Sequence, residues 1–270
     1  MTGRGPREAA VPVLMYHAVA HEPSPAARAL SVAPGAFAEQ MAVLHERGRT
    51  PLTAAALGEA WRRGGALPPR PVLITFDDGY AGVHRHALPV LAARGFAATL
   101  FVTTGWLRGT PGARGAPDTM LDWGQVRELA AAGVEIGGHS HTHPQLDQLA
   151  EAPLRDEVER CRDITARETG TPPASFAYPF GYADRRVRRA VREAGFAQSL
   201  AVRNALARRG QGPYALARLT VRRTTTTEQF ARLVEGEGIA GSYAADRALT
   251  KAYALTRRTR AAARRATGRM

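Results

Sequence analysis

Cysteine is almost missing from this 270-residue chain: Cys161 stands alone. A single thiol excludes an internal disulfide framework and any cysteine metal cluster. Its setting, the charged stretch 157–164 (EVERCRDI), reads as a helix residue and not as a nucleophile. Long apolar runs are missing too. No stretch approaches the roughly 18 apolar residues of a membrane-spanning helix. The opening MTGRGPREAAVPVLMYH lacks the apolar core of a Sec signal peptide. Both absences predict a cytoplasmic or peripherally membrane-associated protein. Tryptophan ends at Trp123 and histidine at His143, so chemistry that needs imidazole must come from the first 143 residues.

What is present is ordinary for a globular chain: 44% apolar and 23% charged residues, with length enough for a sizeable core. The net charge of +13 is unevenly placed. Residues 246–270 hold eight basic residues and one aspartate, +7, which leaves 13 − 7 = +6 for the rest. The predicted organisation is therefore a folded domain over 1–240, which carries the motifs described below, and a basic Ala/Arg-rich helix or tail over 241–270. Such a tail can touch an anionic membrane or polymer. A nucleic-acid partner is not expected, because neither interleaved aromatics nor a binding motif accompanies the charge.

Apolar runs at Val11–Met15, Val72–Phe76, Ala98–Val102, Val134–Ile136, Ser175–Ala177, Gln198–Ala201 and Leu219–Val221 read as strands. Helical patterns fall between them, near 35–47, 53–63, 82–94, 123–132, 151–169, 184–194 and 227–235. Gly95, Gly133 and Gly195 end three of these helices. This alternation predicts parallel βα units, closed into a barrel or wound as an open sheet. In either architecture the site lies just past the strand C-termini.

Two segments roughly sixty residues apart occupy such positions: Thr75-Phe76-Asp77-Asp78-Gly79 and His139-Ser140-His141-Thr142-His143. Adjacent carboxylates repel at an apolar strand end, so a cation there would relieve them. His139 and His143, at i, i+4, can present both rings on one side of a helical turn, with His141 pointing elsewhere. Two imidazoles and one carboxylate suffice to hold a divalent metal with open positions, and the other carboxylate can serve as base. These are the components of a metal-assisted hydrolase.

TFDDG followed by HSHTH resembles the first two motifs of the polysaccharide deacetylases of carbohydrate esterase family 4, the NodB homology domain. Phe176-Ala177-Tyr178-Pro179-Phe180-Gly181 is similar to the FAYPYG third motif of one subset of that family. The resemblance covers about residues 10–235. It implies an α/β fold, a distorted (β/α) barrel with fewer than eight strands. It further implies Asp78, His139 and His143 as metal ligands, Asp77 as general base, and backbone N–H near Phe180 as oxyanion donor. The implied reaction removes N-acetyl groups from an amino-sugar-containing glycan and releases acetate. Zinc is the expected ion, with iron, cobalt or nickel also compatible with the ligands.

The chain departs from the common pattern in three places. Ala177 stands where the third motif usually carries an arginine that pairs with the catalytic aspartate. No later Asp/Trp motif exists, and no C-terminal Leu-x-His can supply a general acid. Met15-Tyr16-His17, at the end of the first strand, resembles an N-terminal version of that motif, so His17 is the predicted acid. Met15 and Tyr178 are predicted to line an acetyl-sized pocket. The missing arginine keeps an alternative open, a non-catalytic glycan- or metal-binding domain on the same fold.

Overall fold

The computed structural model describes residues 10–248 together with 253 and 259. Eight strands are present: β1 (Val13–Tyr16), β2 (Thr50–Leu52), β3 (Pro71–Phe76), β4 (Thr99–Val102), β5 (Glu135–Gly138), β6 (Ser175–Ala177), β7 (Gln198–Leu200) and β8 (Leu219–Thr220). All their pairings are parallel, in the order β7-β6-β5-β4-β3-β1-β8. β2 stands off this path and pairs with the first half of β3. Seven strands thus form the wall of an open (β/α) barrel, as the resemblance implied. Among the described residues no ladder joins β7 to β8.

Among the described residues seven helices flank the wall, α1 (Pro34–Glu46), α2 (Ala54–Arg63), α3 (Leu88–Ala92), α4 (Trp123–Ala131), α5 (Glu151–Thr169), α6 (Arg185–Glu193) and α7 (Thr227–Val234), and a single turn, α8 (Ile239–Ser242), follows them. Most follow the expected boundaries. The stretch read as one helix over 82–94 differs: a π-turn at Val83–Ala87 leads into a short α3. Pro89 has no N–H to donate to the Arg85 carbonyl, so a regular ladder cannot run through it. The three residues of β2 had no strand signal, because Pro51 sits in the middle of so short a run.

Strand alternation divides the core. Leu14, Tyr16, Val72, Ile74 and Phe76 face outward and bury Phe37, Met41 and Leu44 of α1 and Phe230 of α7. Val13, Leu73, Phe101, Ala177 and Leu200 face inward and fill the barrel with Ala54 and Leu57 of α2. Each fully buried side chain of this size contributes about 1.5–3 kcal/mol. α2 closes the lower end. Its Ala54 N–H donates to Thr99 Oγ1 (2.9 Å) and its Ala55 N–H to the Glu135 carboxylate (2.9 Å), which satisfies helix-start donors inside the barrel. Gly137 makes room for the barrel filling, since a Cβ there would lie 2.6 Å from the Phe101 ring. With the lower end plugged, the upper end, where the strands finish, is left for chemistry.

The predicted basic tail over 241–270 falls mostly outside the described residues. Just past residue 240, Tyr243 is buried and donates to the Thr220 carbonyl (2.6 Å), and Asp246 pairs with Arg222 (2.9 Å).

Candidate metal and catalytic site

β3 delivers both aspartates. Asp78 adopts φ +75° and Gly79 φ +100°, so the chain reverses at once and the adjacent carboxylates meet different partners. Asp78 Oδ1 lies 3.3 Å from Nε2 of His139 and 3.3 Å from Nε2 of His143. The three candidate ligand atoms fall within 4.8 Å of one another. Asp78 and His139 are buried, yet Asp78 Oδ1 has no hydrogen-bond partner. A buried, unpartnered carboxylate oxygen facing two imidazole nitrogens is costly unless a cation satisfies it. The donor set therefore fits a divalent metal.

The histidines do not converge through a helical turn as the spacing suggested. Residues 139–143 form an irregular loop in which Ser140 (φ +65°) and His143 (φ +61°) both adopt the left-handed region. Non-glycine residues there cost about 1–3 kcal/mol each unless the surroundings impose them. The support is visible. The Glu157 carboxylate of α5 accepts the N–H groups of His141 (2.9 Å) and Thr142 (2.8 Å), and Ser140 Oγ accepts the His143 N–H (3.0 Å). The result sets the two ligand rings 4.9 Å apart. His141 turns away, as expected, and bonds Thr104 Oγ1 through Nδ1 (2.9 Å).

The second side of each group is also specified. His139 Nδ1 meets the Ala177 carbonyl at 2.8 Å, which directs Nε2 to the candidate metal position. His143 lies between the Trp106 ring (4.6 Å) and the Phe180 ring (4.8 Å). Phe180 is 49% exposed and, at φ +58°, is a further left-handed residue of the site.

Asp77 has a partner that the sequence did not reveal. Arg218, just before β8 and wholly buried, forks onto it: Nη1 to Oδ1 at 2.6 Å and Nη2 to Oδ2 at 2.7 Å. The guanidinium also lies 5.7 Å from the Phe101 ring centre. The charge expected at position 177 thus comes from the far end of the sheet, brought across the barrel by β8 pairing with β1. An arginine beside the apolar run Leu219–Val221 carried no distinguishing signal in so arginine-rich a chain.

Burial alone would raise the Asp77 pKa, but Arg218, His139 and His17 outweigh it and the net shift is downward. Burial likewise opposes ionisation of Asp78, and the close approach of His139 and the charges of His17 and His143 pull it well below the carboxylate range. Burial lowers His139, but Asp77 and Asp78 reverse this and its pKa is raised. His143 is driven down to about 4 by burial and by His139. Cys161 is buried, pushed up to about 12 by desolvation, and inert, in line with its bland sequence setting.

His17 follows β1 and lies within electrostatic reach of Asp78, Asp77, Arg218 and His139. Burial is the largest influence on it and lowers its pKa, with the two carboxylates opposing. Its Nδ1 is buried without a partner. Met15 pairs in register with Thr75 and Thr220, and alternation puts it on the inward face with Val13. Tyr178 is not brought to the site. It is buried with Phe176, Val187 and Phe196, donates to the Tyr214 carbonyl (3.2 Å) and accepts from Ser199. The reason is again alternation: Ala177 faces the barrel, so Phe176 and Tyr178 face out.

This fold and this site have the form of a barrel hydrolase, with three residues that could hold a metal ion beside an aspartate paired with a buried arginine. The family model described as polysaccharide deacetylase matches residues 64–199, and the chain belongs to the polysaccharide deacetylase family. A Bacillus subtilis protein, YxkH, named for the same activity, is 26% identical over 229 residues, 85% of this chain and 77% of its own. The poly-beta-1,6-N-acetyl-D-glucosamine N-deacetylase of Escherichia coli is 35% identical over 122 residues, 42% of this chain but only 18% of that protein. Among solved structures, a polysaccharide deacetylase of Bacillus cereus superposes with a TM-score of 0.71 at 25% identity, covering 84% of this chain and 69% of its own. A Streptococcus pyogenes deacetylase gives 0.74 at 23% identity, with 85% and 98% covered, and shows the fold. Among the described residues no helix is long and apolar enough to cross a membrane.

Proposed function

We propose that the chain is a metal-dependent deacetylase that releases acetate from N-acetylated amino sugars of a glycan. The observation that carries this reading is the Asp78, His139 and His143 cluster with Asp77 beside it, held ionised by Arg218. Asp78, His139 and His143 would hold one divalent ion. Zinc suits this donor set best, and iron, cobalt or nickel are also accepted. Bound there, such an ion would supply Lewis-acid chemistry, polarising the acetyl carbonyl and acidifying the attacking water.

The chain's own residues supply the remaining parts. Asp77, ionised at neutral pH, takes the proton from the water as it attacks. Backbone N–H at Phe180 donates to the developing oxyanion. His17 passes a proton to the departing amine. Its lowered pKa keeps it neutral at rest, so the proton it delivers is the one Asp77 takes from the attacking water, relayed through His17 to the amine as the C–N bond breaks. Phe180 stacks with Tyr182 at 6.2 Å, and Tyr182 lies 6.1 Å from Tyr253, an aromatic run at the rim that suits pyranose rings. Met15, on the inward face, fits the apolar acetyl wall. Tyr178 has no such role.

Metal-loaded protein incubated with N-acetylglucosamine oligomers is expected to release acetate, and none released from any N-acetylated glycan would overturn the proposal. His17→Gln should lower turnover at least about tenfold while bound metal stays stoichiometric. Loss of metal would make His17 a ligand instead. Phe180→Ala is expected to raise KM for oligomers several-fold with a smaller change in kcat, measured by initial rates. The non-catalytic alternative rested on the missing arginine, and Arg218 removes that reason.

Metal affinity should depend on pH in a definite direction. His143 remains neutral at neutral pH, but His139, raised above its ordinary 6.5, must lose a proton to bind metal. Apparent affinity is expected to fall about tenfold per pH unit below the raised His139 pKa, measured by competitive chelation. The metal-free protein should show the opposite trend. Protonated His139 stabilises it fully below 6.5, and that contribution is lost as pH rises through the raised value.

A further inference from the structure

Helix α6 places five arginines in nine residues, RRVRRAVRE. They divide into two rows. Arg186 and Arg189 are neutralised: both meet Glu151 of α5 (3.7 and 2.7 Å), Arg186 also meets Asp184 (3.6 Å), and Arg189 meets Glu193 (3.8 Å). Arg185, Arg188 and Arg192, at i, i+3 and i+7, share another face and have no carboxylate partner among the described residues.

All five arginines line a groove of about 500 Å³ whose far wall is residues 211–214, and no acidic side chain lines it among the described residues; Arg186 and Arg189 reach it already paired with Glu151, which leaves Arg185, Arg188 and Arg192 as its uncompensated charges. The other polar groups of the groove are already engaged. The Tyr214 hydroxyl donates to the Phe196 carbonyl (2.9 Å), and the Gln211 amide bonds the Leu206 carbonyl (3.1 Å) and the Ala217 N–H (2.9 Å). The guanidinium groups are what the groove has to offer. Arg188 Nε is buried with no hydrogen-bond partner, and the side chain's one bond, to the Ala183 carbonyl, is long at 3.5 Å.

The arrangement is unfavourable without an anion. Like charges one turn apart repel, and arginines in the first turn of α6 oppose the positive end of the helix dipole. The surrounding sequence intensifies the field: residues 185–218 contain nine arginines and one glutamate. The row spans about 10 Å, longer than one phosphate, so it suits a chain with repeated charge. Forked guanidinium donors match phosphate oxygens. A recessed groove admits a strand and excludes a planar lipid surface. We infer that the α6 groove binds the phosphate groups of a soluble polyanionic chain, separately from the metal centre. A phosphate-bearing glycan held there would be presented to a protein whose proposed active site begins one short loop upstream, at Phe180.

The test uses the full chain with sodium tripolyphosphate as probe, and an R185Q/R188Q/R192Q variant that keeps most of each side chain's bulk. Tripolyphosphate is expected to shift the Arg188 Nε–H and Tyr214 ring signals in NMR spectra, with affinity that falls as salt rises. The triple variant should bind at least about tenfold more weakly and keep the wild-type melting temperature. Its acetate release from a neutral N-acetylglucosamine oligomer should be unchanged, so a failed deacetylation assay bears on the proposed reaction and the phosphate titration on the groove. Unshifted signals, or undiminished binding by the triple variant, would overturn the inference. So would a response to anionic phospholipid vesicles with none to tripolyphosphate, or loss of neutral-oligomer activity in the variant.

Discussion

Replacing Arg218 by methionine is expected to lower stability by about 3–5 kcal/mol and turnover at least about a hundredfold. The first figure follows from burial. Arg218 is fully enclosed and Asp77 is 2% exposed, so removing the cation leaves a carboxylate charged in an apolar barrel. Methionine keeps most of the apolar stem's bulk and removes the charge, the fork and the guanidinium's approach to Phe101. The loss in rate follows from the direction of the Asp77 shift. Without Arg218, burial, the largest influence on Asp77, is less opposed and its pKa rises. Asp77, the proposed base, is then protonated over more of the pH range, and both its oxygens lose the fork that orients them. Denaturant unfolding and steady-state kinetics on the same metal-loaded sample separate the two effects. Arg218→Lys should restore part of the stability and little of the rate, because an ammonium group cannot fork onto both oxygens. Wild-type turnover in Arg218→Met would remove Arg218 from the reading of the site.

The strand-end chemistry was legible in the sequence because it is local. Val72–Phe76 is an apolar run that must be buried, and whatever follows a buried parallel strand emerges at the barrel's upper end. Asp77, Asp78 and His139 were placed by that rule alone. His143 lies beside Asp78 and His139, but not through the helical turn that its spacing suggests. Its ring reaches Asp78 through left-handed backbone at Ser140 and His143, which depends on Glu157, fourteen residues further on. Local spacing carries no trace of such distant support. Tyr178 could have been read better: in the inward and outward alternation of Ser175–Tyr178, a barrel-facing Ala177 already turns Tyr178 outward with Phe176. Arg218 is of another kind. Its role exists only because β8 lies next to β1, a pairing across the chain of 205 residues (219 − 14) that periodicity does not report.

Asp77→Asn should leave metal content unchanged and lower kcat by at least about a hundredfold. Asparagine has nearly the same shape and leaves Asp78, His139 and His143 in place, so the metal-type cluster keeps all three ligands. It cannot accept the proton, and its amide cannot match the Arg218 fork at both atoms. The substitution therefore strands a buried guanidinium, and stability should fall as it does when Arg218 is removed. A double-mutant cycle distinguishes the two roles of this pair. If the pair is a mutual requirement for burial, Asp77→Asn/Arg218→Met should recover much of the stability lost by either single variant, because neither group is left charged and alone. The rate should not recover, because the proton acceptor is still missing. Recovery of turnover in the double variant would show that Asp77 is a structural partner of Arg218, and that the base lies elsewhere in the cluster.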